Sequence, residues 1–332
     1  MSKFALLFSS LAFGSFLAAC SAAPVGATNP PPAKLGKTYP NAADAPVYPG
    51  AKFAAMQIFD LEAGLYLDEA ALLEALDDDK LVFMGEQHAT APVQELELWL
   101  LTRMTTRHPD VSLGMEHFQH DVQSIIENYL AGTITSDQFE ATSKPWTDYA
   151  TYWKPLVDHM KDVKRPVVGL NIPDDALSQL YTAFPASPFT TFNTWDTSSQ
   201  WDPFVAPRPI PMWDATYEAY FESSFDYNAH GKQLGLSYAD ALVYFTDLAT
   251  IRDETMAYWV SQQLANAGGR VMIVAGDWHV QTGWATPDRA VRYAGDSPKT
   301  DLLTTTPVAG LTAMRAKTVS GRGIAHFAFV YQ

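Results

Sequence analysis

The sequence is poor in cysteine, in basic residues and in long apolar runs, and each shortage removes a class of explanation. Cys20 is the only cysteine among 332 residues, which excludes an internal disulfide framework and a thiolate metal cluster. Lys and Arg number 22 against 37 Asp and Glu, a formal charge of −15, which argues against nucleic acid and against electrostatic binding to anionic lipid. Beyond the first segment no stretch reaches the ~20 apolar residues of a membrane-spanning helix. The chain also lacks a Gly-x-Ser-x-Gly elbow, a Walker loop and a Gly-x-Gly-x-x-Gly fingerprint. No internal repeat is visible. With no disulfide to brace it, the fold depends on its core, and the length suffices for a large one.

The amino-terminal segment is different. Met1-Ser2-Lys3 is a short basic region, residues 4–17 are apolar, and Leu17-Ala18-Ala19 places small residues just before Cys20. This resembles a bacterial lipoprotein signal, with residues 1–19 removed and Cys20 lipidated. Two or more acyl chains are enough for stable anchoring. Ser21 follows the cysteine, and by that resemblance points to the outer membrane. The expectation is a chain anchored to a membrane without spanning it. Residues 20–50, rich in Pro, Ala and Gly, read as a flexible tether, with a single α/β domain over 51–332 and order beginning near Phe53.

Five segments read as strands buried on both faces: 81–86, 111–116, 166–171, 270–276 and 323–332. Between them, helical patterns cover 92–107 (with Thr90 as N-cap), 121–130 and about 238–265. The second closes at Ala131-Gly132 and the third at Ala267-Gly268-Gly269. Near-continuous apolar strands alternating with helices predict an open, mostly parallel α/β sheet with flanking helices. Residues 184–234 break that rhythm with proline and aromatics, and five of the nine tryptophans lie between 145 and 215. This segment reads as a partly helical insertion. Its rings either pack on themselves and the sheet edge or form a lid over a planar hydrophobic ligand.

Four of the strands end in polar residues. Glu86 is followed by His88, Glu116 by His117, Asn171 closes the third, and Asp277 precedes His279. In an open parallel sheet, ligands bind outside the carboxyl ends of the strands, so these residues should meet in one crevice. Glu86, His88, Glu116 and His279 suit Zn²⁺ or Mn²⁺. Without metal, the same set suits acid–base hydrolysis. His117 and His120 share a helical spacing and rank behind them. His108 reads as a helix-end cap, and His159, His230 and His326 carry no supporting pattern. Arg252 and Met256, one turn apart, are expected to face the crevice together.

Taken in order, these motifs resemble the ChaN-like haem-binding uptake lipoproteins of the Tiki superfamily, to which erythromycin esterases are similar. The resemblance runs over about residues 60–290. It is carried by Gly85-Glu86-x-His88, Gly114-Met115-Glu116-x-Phe118-Gln119, Trp146, Tyr152-x-x-Pro155-Leu156, Gly169-Leu170-Asn171, Arg252-Asp253-Glu254-Thr255-Met256-Ala257 and Ala275-Gly276-Asp277-x-His279-Val280. The resemblance implies a haem-binding lipoprotein of iron acquisition, with Tyr152 or Tyr149 on the iron and Trp153, Asn171 and Met256 around it. As partners it implies haem or another planar hydrophobic ligand, a second copy of the chain and an outer-membrane haem receptor. The alternative it carries is a metal-dependent hydrolase using Glu86, Glu116 and Arg252, with His88 and His279 on a divalent cation. This sequence departs from the family pattern in having Asp277-Trp278 where Asn-Gly is usual, and Ala249-Thr250-Ile251 where Ala-Gln precedes the Arg-Asp pair.

Overall fold

A computed structural model describes residues 35–182, 187–196 and 200–332. The leader, Cys20 and the proximal part of the expected tether lie outside these residues. The sheet strands are β1 (Thr38–Tyr39), β2 (Met56–Asp60), β3 (Leu65–Leu67), β4 (Leu81–Glu86), β5 (Val111–Gln119), β6 (Val167–Asn171), β7 (Arg270–Gly276) and β8 (Thr300–Pro307). A short ribbon, β9 (Thr318–Val319) with β10 (Arg322–Gly323), precedes the last sheet strand, β11 (Phe327–Tyr331). The sheet order is β1-β3-β2-β11-β8-β4-β7-β5-β6. From β11 to β6 every pairing is parallel, and β1, β3 and β2 add an antiparallel edge.

The helices used below are α1 (Ala91–Arg107), α2 (Gln123–Leu130), α3 (Lys154–Asp162), α4 (Ala215–Glu222), α5 (Tyr238–Ala267), α6 (Asp277–Val280) and α7 (Thr286–Ala294). Strand alternation sorts the apolar side chains into two layers. Val82 and Met84 join Leu113, Met115, Met272 and Val274 beneath α1, α2 and α3. Leu81 and Phe83 join Val168, Leu170, Val271 and Ile273 beneath α5 and α7. Burial on both faces is why LVFM reads as an unbroken apolar run, each such side chain contributing about 1.5–3 kcal/mol. Local signals set the helix ends. Ser237 caps α5 by accepting from the Asp240 N–H, and Gly268, in the left-handed region, closes it. No helix of the described residues is long and apolar enough to cross a membrane.

The α/β architecture agrees with the sequence reading, and three details differ. Residues 35–50 were expected to be tether, yet they pack on the sheet edge. β1 pairs with β3, Tyr48 pairs with Met56, and the Tyr48 hydroxyl accepts from the Glu69 N–H at 2.8 Å. The 323–332 run is split between the ribbon and β11. Strands β2, β3 and β8 were unforeseen, β8 because TDLLTTTP is threonine-rich rather than an apolar run. The insertion does form helices, including Pro188–Thr194 and α4. Its rings pack inward on α5. Phe192 joins Tyr244 and Leu248, Tyr217 and Phe221 join Leu242, and Trp213 donates to Asp247 at 2.8 Å.

Candidate functional site

Chain order places β4, β5 and β6 in succession, and β7 enters later between β4 and β5. The carboxyl ends of four adjacent strands therefore share one rim, as the sequence pattern required. A cavity of about 550 Å³ opens there, lined by Glu86, His88, Glu116, Arg252 and His279, with Trp146 and Trp278 as flat walls. Two glycines make the close approach possible. A Cβ on Gly85 would meet Asp277 Oδ1 at 2.5 Å, and one on Gly276 would meet His88 Nε2 at 2.8 Å.

Glu86 is the hub of one half. Its Oε1 accepts from His88 Nδ1 at 2.5 Å and from His117 Nε2 at 2.7 Å, and its Oε2 accepts from Gln94 Nε2 at 2.8 Å and Trp153 Nε1 at 3.0 Å. Burial alone would raise the Glu86 carboxyl, but His117 and His88 hold it well below the usual range. Burial opposes charge on His88 as well, and the Glu86 hydrogen bond with the Glu116 charge raises it nonetheless. The His88 side chain is 40% exposed, and its Nε2 makes no hydrogen bond to a described residue. A carboxylate on Nδ1 fixes the ring and leaves Nε2 for a ligand, as second-shell carboxylates do for metal-binding histidines. Behind this pair, burial and the neighbouring Glu86 charge push Glu97 well above the usual carboxyl range.

Glu116 is the hub of the other half. Its Oε1 accepts from Arg252 Nη2 at 2.7 Å, its Oε2 from the Gly276 N–H at 2.7 Å, and His279 Nε2 lies 3.4 Å away. His279 Nδ1 donates to Asp253 Oδ1 at 2.7 Å, and Asp253 also accepts from Thr286 and Tyr217. Burial would lower His279, yet Glu116 and Asp253 together bring it to about 9. The same neighbours act in reverse on Glu116, held well below normal against its burial by His279 and Arg252.

The expected crevice residues Glu86, His88, Glu116, Arg252 and His279 do meet. Asn171 stands behind Arg252, accepting from its Nε at 3.4 Å. Trp153 is buried beneath, donating to Glu86 and tilted against His117 at 4.4 Å between ring centres. None of the five expected cofactor residues lines the cavity, and Met256, Tyr149 and Tyr152 also stand apart from the residues around it. Met256 lies in the core under β6 and β7, because Arg252 reaches the rim only by its long side chain. Tyr149 is buried between Phe118 and Phe139, its hydroxyl unpartnered and pushed far up by burial. Tyr152 lines a separate cleft of about 210 Å³ beside Lys52 and Pro155.

His117, ranked second in the sequence reading, belongs to the cluster, whereas His120 stacks on Trp259 and bonds the Gly169 carbonyl. Strand alternation should send Glu116 and His117 to opposite faces. The β5–β6 register shifts between Met115 and Gln119, and that irregularity lets both side chains serve the same rim. Gln94, a partner of Glu86, and Asp253, a partner of His279, were missed as members of the cluster. The donor atoms of Glu86, His88 and His117 lie within 4.8 Å of one another, a spacing that can gather around one cation. Trp278, where the family pattern has glycine, stacks with Tyr220 and meets Phe221 edge-on, so α4 buttresses that wall.

The family described as haem-binding uptake, Tiki superfamily, ChaN, matches residues 72–290, more than half of the sequence. The chain belongs to this family. Among solved structures, ChaN of Campylobacter jejuni with cofacially bound haem is 11% identical with a TM-score of 0.58, covering 83% of this chain and 97% of its own. At that identity the likeness is one of fold. A mutant of the erythromycin esterase EreC in its open conformation is 14% identical with a TM-score of 0.43, covering 72% of each chain. A Bacillus cereus protein is 12% identical with a TM-score of 0.41, covering 71% of this chain and 68% of its own. No curated protein matches.

Proposed function

We propose that this ChaN-family protein binds haem or a related iron-porphyrin in the strand-end crevice and serves iron acquisition. The observation that carries the reading is His88. It is the exposed imidazole of the cavity, held by Glu86 through Nδ1 with Nε2 unbonded to any described residue, edge-on to Trp146 at 4.9 Å, with Trp278 lining the same cavity. An iron-porphyrin needs an axial donor, flat apolar walls and a cation for its carboxylates, and His88, the two indoles and Arg252 are residues of those types. The bound group would supply a Lewis-acidic iron, and the protein's part is to orient His88, exclude water with the indoles and neutralise a carboxylate. Haem bound to the Campylobacter ChaN supports this choice of ligand. The positions of Tyr149 and Tyr152 favour histidine over tyrosine as the iron ligand here. The leader pattern supports an outer-membrane lipid anchor on Cys20. A second copy of the chain and an outer-membrane haem receptor complete the proposal.

Titration of hemin into the protein tests it. The expected outcome is a saturable Soret shift, lost in His88→Ala, weakened in Arg252→Ala and unchanged in Tyr152→Phe. No saturable shift, or one lost in Tyr152→Phe and retained in His88→Ala, overturns it. A second reading, a metal-dependent hydrolase, rests on the closeness of Glu86, His88 and His117 and on the buried Asp253–His279 pair beside Glu116. It predicts stoichiometric Zn or Mn in the protein as purified, lost in His88→Ala. Metal-free protein counts against it.

A further inference from the structure

Another cavity, of about 520 Å³, opens beside the first residues of β8 and the segment that leads into β11. Its volume lies within the range of small-molecule sites. Leu61, Leu302 and Ile324 give it an apolar floor, and Arg315, Arg322 and His326 bring cationic or donor groups to its wall. Arg322 is committed, donating to both oxygens of Asp288 and lying 3.5 Å over the Trp284 ring. Asp301 holds His326 through Nδ1. Arg315 has no acidic partner among the described residues. It is exposed and lies 5.0 Å over the Phe59 ring. Glu62, an acid, also lines the cavity.

Thr282 supplies an independent observation. It lines the same cavity, is buried, and sits at φ 63°, in the left-handed region that β-branched residues avoid. Its N–H donates to the Ile324 carbonyl at 2.7 Å, while its hydroxyl has no hydrogen-bond partner. A strained backbone together with a buried, unsatisfied hydroxyl is retained where something else uses the position.

We propose that this cavity binds a small carboxylate with an apolar tail, the tail on the Leu61–Leu302–Ile324 floor and the carboxylate received by Arg315 and the Thr282 hydroxyl. A carboxylate suits this pair because the guanidinium offers paired donors and the hydroxyl a further one. Octanoate is the probe, titrated calorimetrically into the full chain. The expected result is one saturable site, weakened about tenfold in Arg315→Ala, the size of one charge-assisted hydrogen bond. Octan-1-ol, with the same tail and no charge, should bind more weakly. Thr282→Gly relieves the strain, so it should raise the melting temperature while lowering octanoate affinity. A purely structural threonine would move the first readout and leave the second. His88→Ala should bind octanoate as the parent does. The proposal fails if there is no saturable heat, if octanol binds equally, if Arg315→Ala and Thr282→Gly both bind as the parent, or if His88→Ala abolishes binding.

Discussion

Both ends of the parallel sheet carry a histidine held through Nδ1 by an acid, Glu86–His88 at the carboxyl end and Asp301–His326 at the amino end, but the two pairs sit in different company. Glu86 is fully buried and shared by two imidazoles, an indole and an amide. Asp301 and His326 are part-exposed and are joined by buried Asp79 and exposed Lys299. The difference teaches that an acid–imidazole pair gains chemical meaning from convergence. At the carboxyl end four strands aim their last residues at one place, and at the amino end the strands merely begin.

The comparison breaks most readily at its hubs. Glu86→Ala strands His117, Trp153 and Gln94 without an acceptor and should cost about 3–5 kcal/mol, as for other broken buried pairs. Asp301→Ala, in a pair with His326 36% exposed, should cost less, on the order of 1 kcal/mol. Equal urea midpoint shifts in the two variants would erase the distinction. Next is pH. His279 is raised from 6.5 to about 9, so its stabilising charge is fully present below about pH 6.5 and is lost as pH rises through 9. The loss should be on the order of 3 kcal/mol between those limits, and Asp253→Asn should flatten the slope measured by urea melts from pH 6 to 9.5.

At the other end the sign is the same and the benefit of mutation reversed. Burial and then Asp301 raise Asp79 from 3.8 to about 7, so its ionisation works against the fold as pH climbs through 7. Asp79→Asn should therefore raise the melting temperature at pH 8 by about 2 °C, and a drop would mean that the Lys299 contact outweighs burial. The smallest effect belongs to Tyr149→Phe. Its hydroxyl is buried without a partner, so the change should stay within about 0.5 kcal/mol and leave the Soret band alone.

The crevice was legible because its four strands are buried on both faces, which turns each into an apolar run with a polar stop. Glu86, His88, Glu116 and His279 stand at those stops. Apart from Arg252, residues that act from helices left no such mark. Gln94 and Asp253 sit within amphipathic patterns where a polar side chain is ordinary. His117 ranked only second because the register shift in β5 that brings it to the rim is a backbone event with no signature in residue type. Strand β8 was hidden by its threonines, and the edge strands by their brevity. Tyr152, by contrast, was named by motif resemblance, and the short helix Tyr149–Tyr152 before α3 carries it into another cleft.

The place of β7 has a consequence for how the protein is made. β4 and β5 are successive in the chain, but they do not touch in the sheet, and the strand between them is written late. The Gly276 N–H that closes onto Glu116 comes from 160 residues further along. Contacts at such separation form late, after the entropy of closing a long loop has been met. A chain made only as far as α5 would thus hold β4 and β5 with an open seam, Glu86 already partnered by His88 and His117, and Glu116 without the Gly276 N–H and His279. Until β7 and α6 arrive, the rim lacks Gly276, Trp278 and His279, so the crevice is completed by the part of the chain made last.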